Sequence, residues 1–314
     1  MKVVGFHSNQ LGVRGTEVAL YDYALYNELV LGNKSYIVSS KNNNLFALDK
    51  FQKRFEVFLY DSFDELELFV QQKNIEYMYY IKSGEYDGKV LKSCKNLNHV
   101  VFQNNQPHGD KYVFIAQWLS QKMTHDNENY VPHILHLPEV KENYRDFLNI
   151  PENAIVFGRH GGYDEFDYEW IYPVIERIAQ ENSNIYFVFL NTKPFCKQLP
   201  NIIHLEATYD LEIKTAFINT CDALLHARRR GEIFSLTIGE FLHQDKAVIS
   251  CPQGYDEGHV VMLKDKGIWY NNDTELYNVL KSFNPKYPIG YWKSLVEEYS
   301  PENVMHRFDQ LFLK

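Results

Sequence analysis

The first half of the chain carries short apolar runs that alternate with stretches in which apolar residues recur three and four positions apart. The first pattern predicts buried strands, and the second predicts helices with one buried face. Strands are predicted at residues 2–7, 35–40, 56–60, 75–81 and 99–103, and helices at residues 16–31, 45–54 and 63–73. Thr16 is expected to cap the first helix and Gly32 to end it. Such alternation is typical of a parallel sheet covered on both faces, which binds ligands at the carboxyl ends of its strands.

A second series of the same kind begins near Pro151. Its predicted strands are residues 154–157, 185–190, 202–205, 223–225 and 247–251, and its predicted helices are residues 170–182 and 211–219. A last helix covers residues 301–312, with Ser300 at its N-cap and Pro301 at its first position, where the missing N–H costs nothing. The pattern therefore indicates an α/β protein with two domains, residues 1–150 and 151–289, and a linker at residues 140–150.

The segment from His226 to Glu240 concentrates charge between two predicted strands. It reads as a strand end, a basic turn that contains Gly231, and a helix with Ser235 as its N-cap. A helix N-terminus attracts anions, and arginine side chains donate paired hydrogen bonds to phosphate groups. The segment therefore predicts a site for a nucleotide diphosphate, with Glu232 accepting hydrogen bonds from a sugar at one end and Glu240 from a ribose at the other.

The same segment resembles the Glu-x7-Glu signature of retaining nucleotide-sugar glycosyltransferases of family 4. Glu232 and Glu240 would be its two acids, and Ser235 stands where that family usually has glycine. The resemblance covers nearly the whole chain and is most specific in the second half. Within the family, the chain is similar to the small enzymes encoded by large algal viruses.

Gly158-Arg159, which follows an apolar run, resembles a second landmark of the family, a Gly-Arg pair at the start of the C-terminal domain. The family usually has a lysine a few residues later, whereas this chain continues with Gly161-Gly-Tyr-Asp-Glu165 and has no lysine there. We expect one or more of the three arginines Arg228, Arg229 and Arg230 to supply the missing positive charge.

The resemblance implies a GT-B fold, in which two Rossmann-like domains with parallel sheets face a central cleft. Residues 1–150 would form the acceptor-side domain, residues 151–289 the nucleotide-sugar donor domain, and a C-terminal helix at about residues 290–314 would cross back onto the first domain. It also implies front-face transfer of a hexose with retention of configuration, without a protein nucleophile or a cofactor. No Asp-x-Asp pair stands near a predicted strand end, so no metal ion is expected to hold the diphosphate.

The resemblance and the pattern together give a set of candidate residues. The expected catalytic residues are Glu232, Arg159 and His108, with Gln103 as the alternative to His108. The expected donor-binding residues are Gly12, Gly15, Glu206, Asp210, Arg228, Arg229, Arg230, Ile233, Phe234, Ser235, Leu236 and Glu240. A tight strand-to-helix turn would by itself explain the two glycines. A carboxylate in the loop from Glu206 to Asp210 can accept two hydrogen bonds from guanine, which favours GDP-mannose over UDP-sugars as the donor.

Composition narrows the class further. A net charge of −9 argues against a nucleic-acid partner, whose binding surfaces are basic. The four cysteines have no metal-type spacing and indicate free thiols in a reducing compartment. No run of 18 apolar residues and no signal peptide is recognisable, so we expect no membrane span and a cytoplasmic location, in the host cytoplasm if the source is a virus. The expected partners are a nucleotide-sugar donor and a glycan or glycoprotein acceptor, and the sequence leaves a homodimer open.

Two other interpretations fit the same residues. A non-catalytic protein that binds nucleotide sugars, or assembles with others, is favoured by the missing lysine and by Ser235. A GT-B epimerase would need acidic or histidine bases converging on the sugar, and the sequence does not clearly show such a set.

Overall fold

The computed structural model describes residues 1–197 and 199–314. The chain forms two compact units. The first unit contains Met1–Ile134 and Glu298–Lys314, and the second contains Leu135–Glu297. The first boundary therefore falls earlier than the predicted residue 150, and the chain returns to the first unit later than the predicted residue 290.

Residues 135–150 are part of the second unit because side chains of that unit hold them. The backbone N–H of Tyr144 donates to Thr220 Oγ1 at 2.8 Å. Arg145 forms an ion pair with Asp222 at 3.0 Å, and both side chains are largely buried. The segment predicted to be a linker is thus bonded to the domain that follows it.

A six-stranded parallel sheet forms the centre of the first unit. Its strands are β1 (Val3–Ser8), β2 (Lys34–Ser40), β3 (Glu56–Tyr60), β4 (Tyr77–Lys82), β5 (Lys95–Val100) and β6 (Lys111–Phe114). The helices between them are α1 (Gly15–Leu29), α2 (Leu48–Gln52) and α3 (Phe63–Lys73), and α4 (Gln117–Thr124) follows the last strand. The strand order is β3-β2-β1-β4-β5-β6, which is that of a dinucleotide-binding fold.

The second unit repeats this architecture. The strands of its sheet are β7 (Ile155–Arg159), β8 (Ile185–Leu190), β9 (Ile202–Leu205), β10 (Ala223–His226), β12 (Ala247–Ser250) and β14 (Ile268–Trp269), and a separate short ladder joins β11 (Gly231–Glu232) to β13 (Asp256–Glu257). Its helices are α5 (Tyr172–Glu181), α6 (Leu211–Thr220), α7 (Leu236–His243), α8 (Gly258–Leu263) and α9 (Asp273–Ser282). The sheet order is β14-β12-β10-β7-β8-β9, so both sheets have the same connectivity when each is counted from its own first strand.

The end of the chain belongs to the first unit. Helix α10 (Pro301–Phe308) is followed by one π-helical turn, Asp309–Leu313. Ser300 caps α10 by accepting a hydrogen bond from a backbone N–H three residues further on, as predicted. Phe308 is fully buried and stacks on Phe6 of β1. Burial of a side chain of this size stabilises a fold by about 1.5–3 kcal/mol, which holds the last helix to this unit.

The structure corrects several predicted elements. Strands β6, β11, β13 and β14 and helices α4, α8 and α9 were not predicted. The helix predicted at residues 45–54 is only the five residues of α2, and the strand predicted at residues 99–103 is β5, which begins at Lys95. Helix α1 begins at Gly15 with Arg14 in the N-cap position, because the Thr16 hydroxyl donates to the Glu17 carboxylate instead of capping the backbone. Among the described residues, no helix is long and apolar enough to cross a membrane.

Candidate functional site

A small pocket of about 20 Å³ lies in the second unit, where two neighbouring parallel strands end. Strand β7 ends at Arg159 and β10 ends at His226, so the chain leaves both strands at the same edge of the sheet. The residues that line the pocket are Arg159, His160, Gly161, Glu165, Leu224, His226, Ala227, Arg228, Glu232 and Thr237. This is the edge at which parallel sheets bind ligands, and it contains three of the residues predicted from the sequence.

Glu232 presents a carboxylate held by two donors at the pocket wall. Its Oε2 accepts a hydrogen bond from Arg228 Nη1 at 2.7 Å, and its Oε1 lies 3.2 Å from His226 Nε2. Arg228 also donates through Nη2 to Glu165 Oε1 at 2.7 Å. Burial alone would raise the pKa of Glu232, but the hydrogen bond from His226 and the charge of Arg228 lower it below its ordinary value. Glu232 is therefore an ionised acceptor of hydrogen bonds.

The backbone at Glu232 is fixed by a glycine turn. Gly231 has a left-handed φ of 75°, and a Cβ atom there would collide with the carbonyl oxygen of Asp256. Gly231 and Glu232 pair with Asp256 and Glu257 in the two-stranded ladder. A turn this close to a second backbone requires glycine, and its geometry decides where Glu232 points.

Arg159 provides a buried positive charge at the end of β7. Its Nη1 donates to Thr192 Oγ1 at 2.6 Å, and its Nη2 donates to Gly162 O at 2.8 Å. Burial lowers the pKa of Arg159 to about 10, so the guanidinium stays charged at neutral pH. These contacts fix its plane within the pocket lining, where a rigid cation can face a phosphate.

The three consecutive arginines do not act as one cluster. Arg228 lines the pocket. The Arg229 backbone N–H donates to Asp167, and its side chain is not part of the pocket lining. Arg230 turns to the buried carboxylate of Asp256 at 2.8 Å. Of the three, Arg228 is the one that lies in the pocket lining, and the expectation that one or more of them supplies the missing positive charge stays a prediction.

Helix α7 begins beside the pocket. Ser235 is its N-cap, as predicted, and accepts a hydrogen bond from the Ile238 N–H at 3.2 Å. Thr237, in the first turn, lines the pocket. The positive end of the helix dipole thus lies at the pocket wall. The neighbouring candidates Ile233, Phe234 and Leu236 are not among the residues that line the pocket. Ile233 is buried, and Phe234 and Leu236 are half-buried.

Glu240 lies further along α7 and is not among the pocket-lining residues. Its carboxylate is buried, forms an ion pair with Lys214 of α6, and lies 3.0 Å from His160 Nε2. Burial alone would raise its pKa, but Lys214 and His160 lower it to about 2. Burial also lowers the pKa of His160, which lines the pocket. Glu240 is therefore linked to the pocket lining through His160.

Glu206 and Asp210, the two acids expected to bind the guanine base of the donor, do not line this pocket. Asp210 is the N-cap of α6 and accepts hydrogen bonds from the N–H groups of Glu212 and Ile213. Glu206 is exposed in the preceding loop. Helix capping by itself explains why an aspartate stands at position 210.

The remaining candidates belong to the first unit. Gly12 is buried in the loop after β1, and Gly15 is the first residue of α1. The ring of His108 lies with Nδ1 at 2.7 Å from Gln106 O and packs edge-on against Tyr86. Their predicted roles toward the donor stay predictions.

Sequence reasoning did not single out the other polar side chains of the pocket lining, which are His160, Glu165, His226 and Thr237. His160 follows Arg159 directly, and Glu165 lies in the loop after it, so their position after a strand was the available signal. Over the part of the chain that the structure describes, no group of three or more His, Cys, Asp or Glu side chains is placed to hold a metal ion.

The two sheets and their connectivity define a GT-B fold, and comparison with solved structures supports this assignment. HepE of Anabaena, in complex with UDP and glucose, is similar over 99% of this chain and 98% of its own, with a TM-score of 0.67 and 14% identity. A glycosyltransferase from Rickettsia africae is similar over 99% and 94%, with a TM-score of 0.62 and 13% identity. A putative UDP-N-acetylglucosamine 2-epimerase from Listeria monocytogenes is similar over 98% and 94%, with a TM-score of 0.63 and 10% identity.

At these identities the likeness shows the fold alone. No protein-family model matches the sequence, and no curated protein sequence matches it significantly.

Proposed function

We propose that this protein is a glycosyltransferase that takes a sugar from a nucleotide diphosphate and transfers it to a hydroxyl group of a glycan or glycoprotein. One observation carries the proposal: Arg159, Arg228 and the N-terminus of α7 bring positive charge to the same pocket as the ionised acceptor Glu232. Cations suit a diphosphate, and a fixed carboxylate suits the hydroxyl groups of a sugar.

The roles follow from where each group lies. Arg159 and the first turn of α7 would stabilise the diphosphate as charge develops on it, and Arg228 would turn toward the same oxygens. Glu232 would hold sugar hydroxyl groups. We propose a retaining front-face transfer that needs no metal ion. In it the bond from the anomeric carbon to the phosphate oxygen breaks, the bond to the acceptor oxygen forms, and the acceptor proton passes to the departing phosphate.

For the donor base, we place UDP-sugars ahead of GDP-mannose. The preference for GDP-mannose depended on the loop from Glu206 to Asp210, and the Asp210 carboxylate is engaged in capping α6. HepE was solved with UDP and glucose, and the similar MnaA of S. aureus was solved with UDP. Glu240 would bind the ribose of the donor. The ribose hydroxyl groups would then share this carboxylate with Lys214 and His160.

The test is calorimetric titration with UDP, UDP-glucose, UDP-N-acetylglucosamine, GDP and GDP-mannose, each with and without EDTA. We expect a UDP-sugar to bind with and without EDTA. We also expect the protein to hydrolyse the bound UDP-sugar slowly to UDP and free sugar. Nuclear magnetic resonance of the released sugar would then give its anomeric configuration. Absence of binding by every nucleotide would overturn the proposal. Conversion of UDP-N-acetylglucosamine to its 2-epimer would assign the pocket to an epimerase, and binding without turnover or transfer would favour the non-catalytic alternative.

A further inference from the structure

His226 links Glu232 to a second buried side chain. Its Nε2 lies 3.2 Å from Glu232 Oε1, and its Nδ1 lies 2.8 Å from Ser250 Oγ. His226 and Ser250 are register partners on the paired strands β10 and β12. The backbone oxygen of His226 also accepts a hydrogen bond from the buried Tyr270 hydroxyl at 2.7 Å. The backbone of His226 is therefore held by Tyr270, and its imidazole is held by Ser250 at Nδ1.

The proton positions follow from what each group can donate. An ionised carboxylate only accepts hydrogen bonds, so the hydrogen on the His226 ring must be on Nε2. In the neutral imidazole Nδ1 is then an acceptor, and the Ser250 hydroxyl donates to it at 2.8 Å in preference to the Cys251 carbonyl oxygen at 3.3 Å. Glu232 thus sets the tautomer of His226, and Ser250, whose hydroxyl can donate or accept, holds the opposite ring nitrogen in place.

The two donors to Glu232 differ in how firmly they are held. The Arg228 side chain is 25% exposed, lines the pocket and is shared with Glu165, whereas the His226 side chain is 8% exposed. A diphosphate that arrives in the pocket would compete for Arg228, because phosphate accepts the same paired hydrogen bonds as a carboxylate. His226 is the donor that would stay on Glu232 when Arg228 turns away.

We propose that His226, oriented by Ser250, is a positioning residue that holds the Glu232 carboxylate toward the sugar. This inference rests on the proposed function, in which Glu232 binds the sugar of the donor. His226 also lines the pocket, and in this proposal its effect on turnover passes through Glu232.

Two conservative substitutions separate this role from a packing role. In His226→Gln the amide nitrogen takes the place of Nε2 and can still donate to Glu232. In His226→Asn the amide nitrogen takes the place of Nδ1, so the contact with Ser250 can remain while the donor to Glu232 is lost. We expect His226→Asn to lower kcat for UDP-sugar turnover by about 10- to 100-fold with little change in UDP affinity. His226→Gln should recover most of that loss.

His204→Gln is the control, because His204 is a half-buried histidine of β9 that stacks on Phe189 and does not line the pocket. Its turnover should remain near that of the wild type. Melting temperatures of all variants should be compared, since a packing role would lower turnover in parallel with stability. Equal turnover in the Asn and Gln variants of an active enzyme would overturn the inference.

A second readout does not depend on activity. In protein with ¹³C-labelled glutamate, the Glu232 carboxyl signal can be assigned by its absence in Glu232→Gln and then titrated. We expect the pKa of Glu232 to rise in His226→Asn and to stay near its wild-type value in His226→Gln. An unchanged pKa in both variants would overturn the inference. If the wild type binds no nucleotide and turns over no donor, the proposed function fails instead, and the inferred role in catalysis fails with it.

Discussion

Lys214 forms a buried ion pair with Glu240, so that α6 and α7 of the second unit are joined by opposite charges in the interior of that unit. Both side chains are about nine-tenths shielded from solvent. A buried pair of this kind contributes most visibly when one partner is removed, because the remaining charge has no compensation.

We therefore expect Glu240→Gln to lower the free energy of unfolding by about 3–5 kcal/mol, because it leaves the Lys214 ammonium buried without its partner. Urea unfolding measures the effect. Glu212→Gln, at an exposed acid on the same helix as Lys214, is the control and should change stability little. A Glu240→Gln protein of wild-type stability that binds UDP more weakly would instead support the ribose role alone.

The same pair predicts a pH dependence. The pKa of Glu240 is about 2 in the folded protein, against an ordinary value of 4.5, since Lys214 and His160 outweigh the effect of burial. A carboxyl whose pKa is depressed by folding stabilises the folded state fully above its unfolded pKa and loses that contribution as the pH falls toward the folded value. The stability difference between wild type and Glu240→Gln should thus be constant above about pH 5 and shrink between about pH 4.5 and pH 2. A difference that does not vary with pH would contradict this account.

The fold was predictable because its strands are short, apolar and bounded by polar turns. Strands β8 and β9 begin and end at the predicted residues. Strand β6, Lys111–Phe114, is as short as β9 but was missed, because it begins at a polar residue directly after the polar loop of residues 103–110. Its pairing with β5 identifies it as a strand.

The site was predictable in position and less so in detail. Gly158-Arg159 and the basic turn each follow an apolar strand, which is why the pocket lies where the sequence predicts. Which of the three arginines enters it depends on Gly231 and on the attraction of Arg230 to Asp256, a residue 26 positions away. The partner of Glu240 is likewise distant in sequence, at Lys214, and helix periodicity alone does not reveal it.

Glu232→Ala should abolish turnover of the sugar donor and leave UDP binding nearly intact. Loss of hydrogen bonds to the sugar would remove about 2–4 kcal/mol of transition-state stabilisation. Removal of the carboxylate also frees Arg228 for the diphosphate, so UDP affinity should not fall. Calorimetry with UDP and a coupled assay of UDP release measure the two parts, and near-normal turnover would exclude the assigned role.

Arg228→Ala and Arg229→Ala make a matched pair. Only Arg228 lines the pocket, so its removal should weaken UDP binding by about 1.5–3 kcal/mol, the range for hydrogen bonds to charged groups. Arg229→Ala removes an equal charge from an exposed position and should have little effect. Equal losses in both variants would show that general charge, and not the geometry of Arg228, attracts the diphosphate. Titration at two salt concentrations would reveal this, since long-range attraction is screened.

Gly231→Ala should lower both stability and turnover. Its φ of 75° is strained for alanine, and the added Cβ would press into the Asp256 carbonyl oxygen, which shifts the backbone that carries Glu232.

Gly32→Ala is the control, because Gly32 has a similar φ of 66° but nothing within 4 Å of its Cβ position. Conformational strain alone costs about 1 kcal/mol, so Gly32→Ala should show roughly that loss in urea unfolding and full turnover. Gly231→Ala should lose more stability than Gly32→Ala and should also lose donor turnover, because the collision displaces the ladder between β11 and β13. Equal behaviour of the two variants would mean that the turn can relax without moving Glu232.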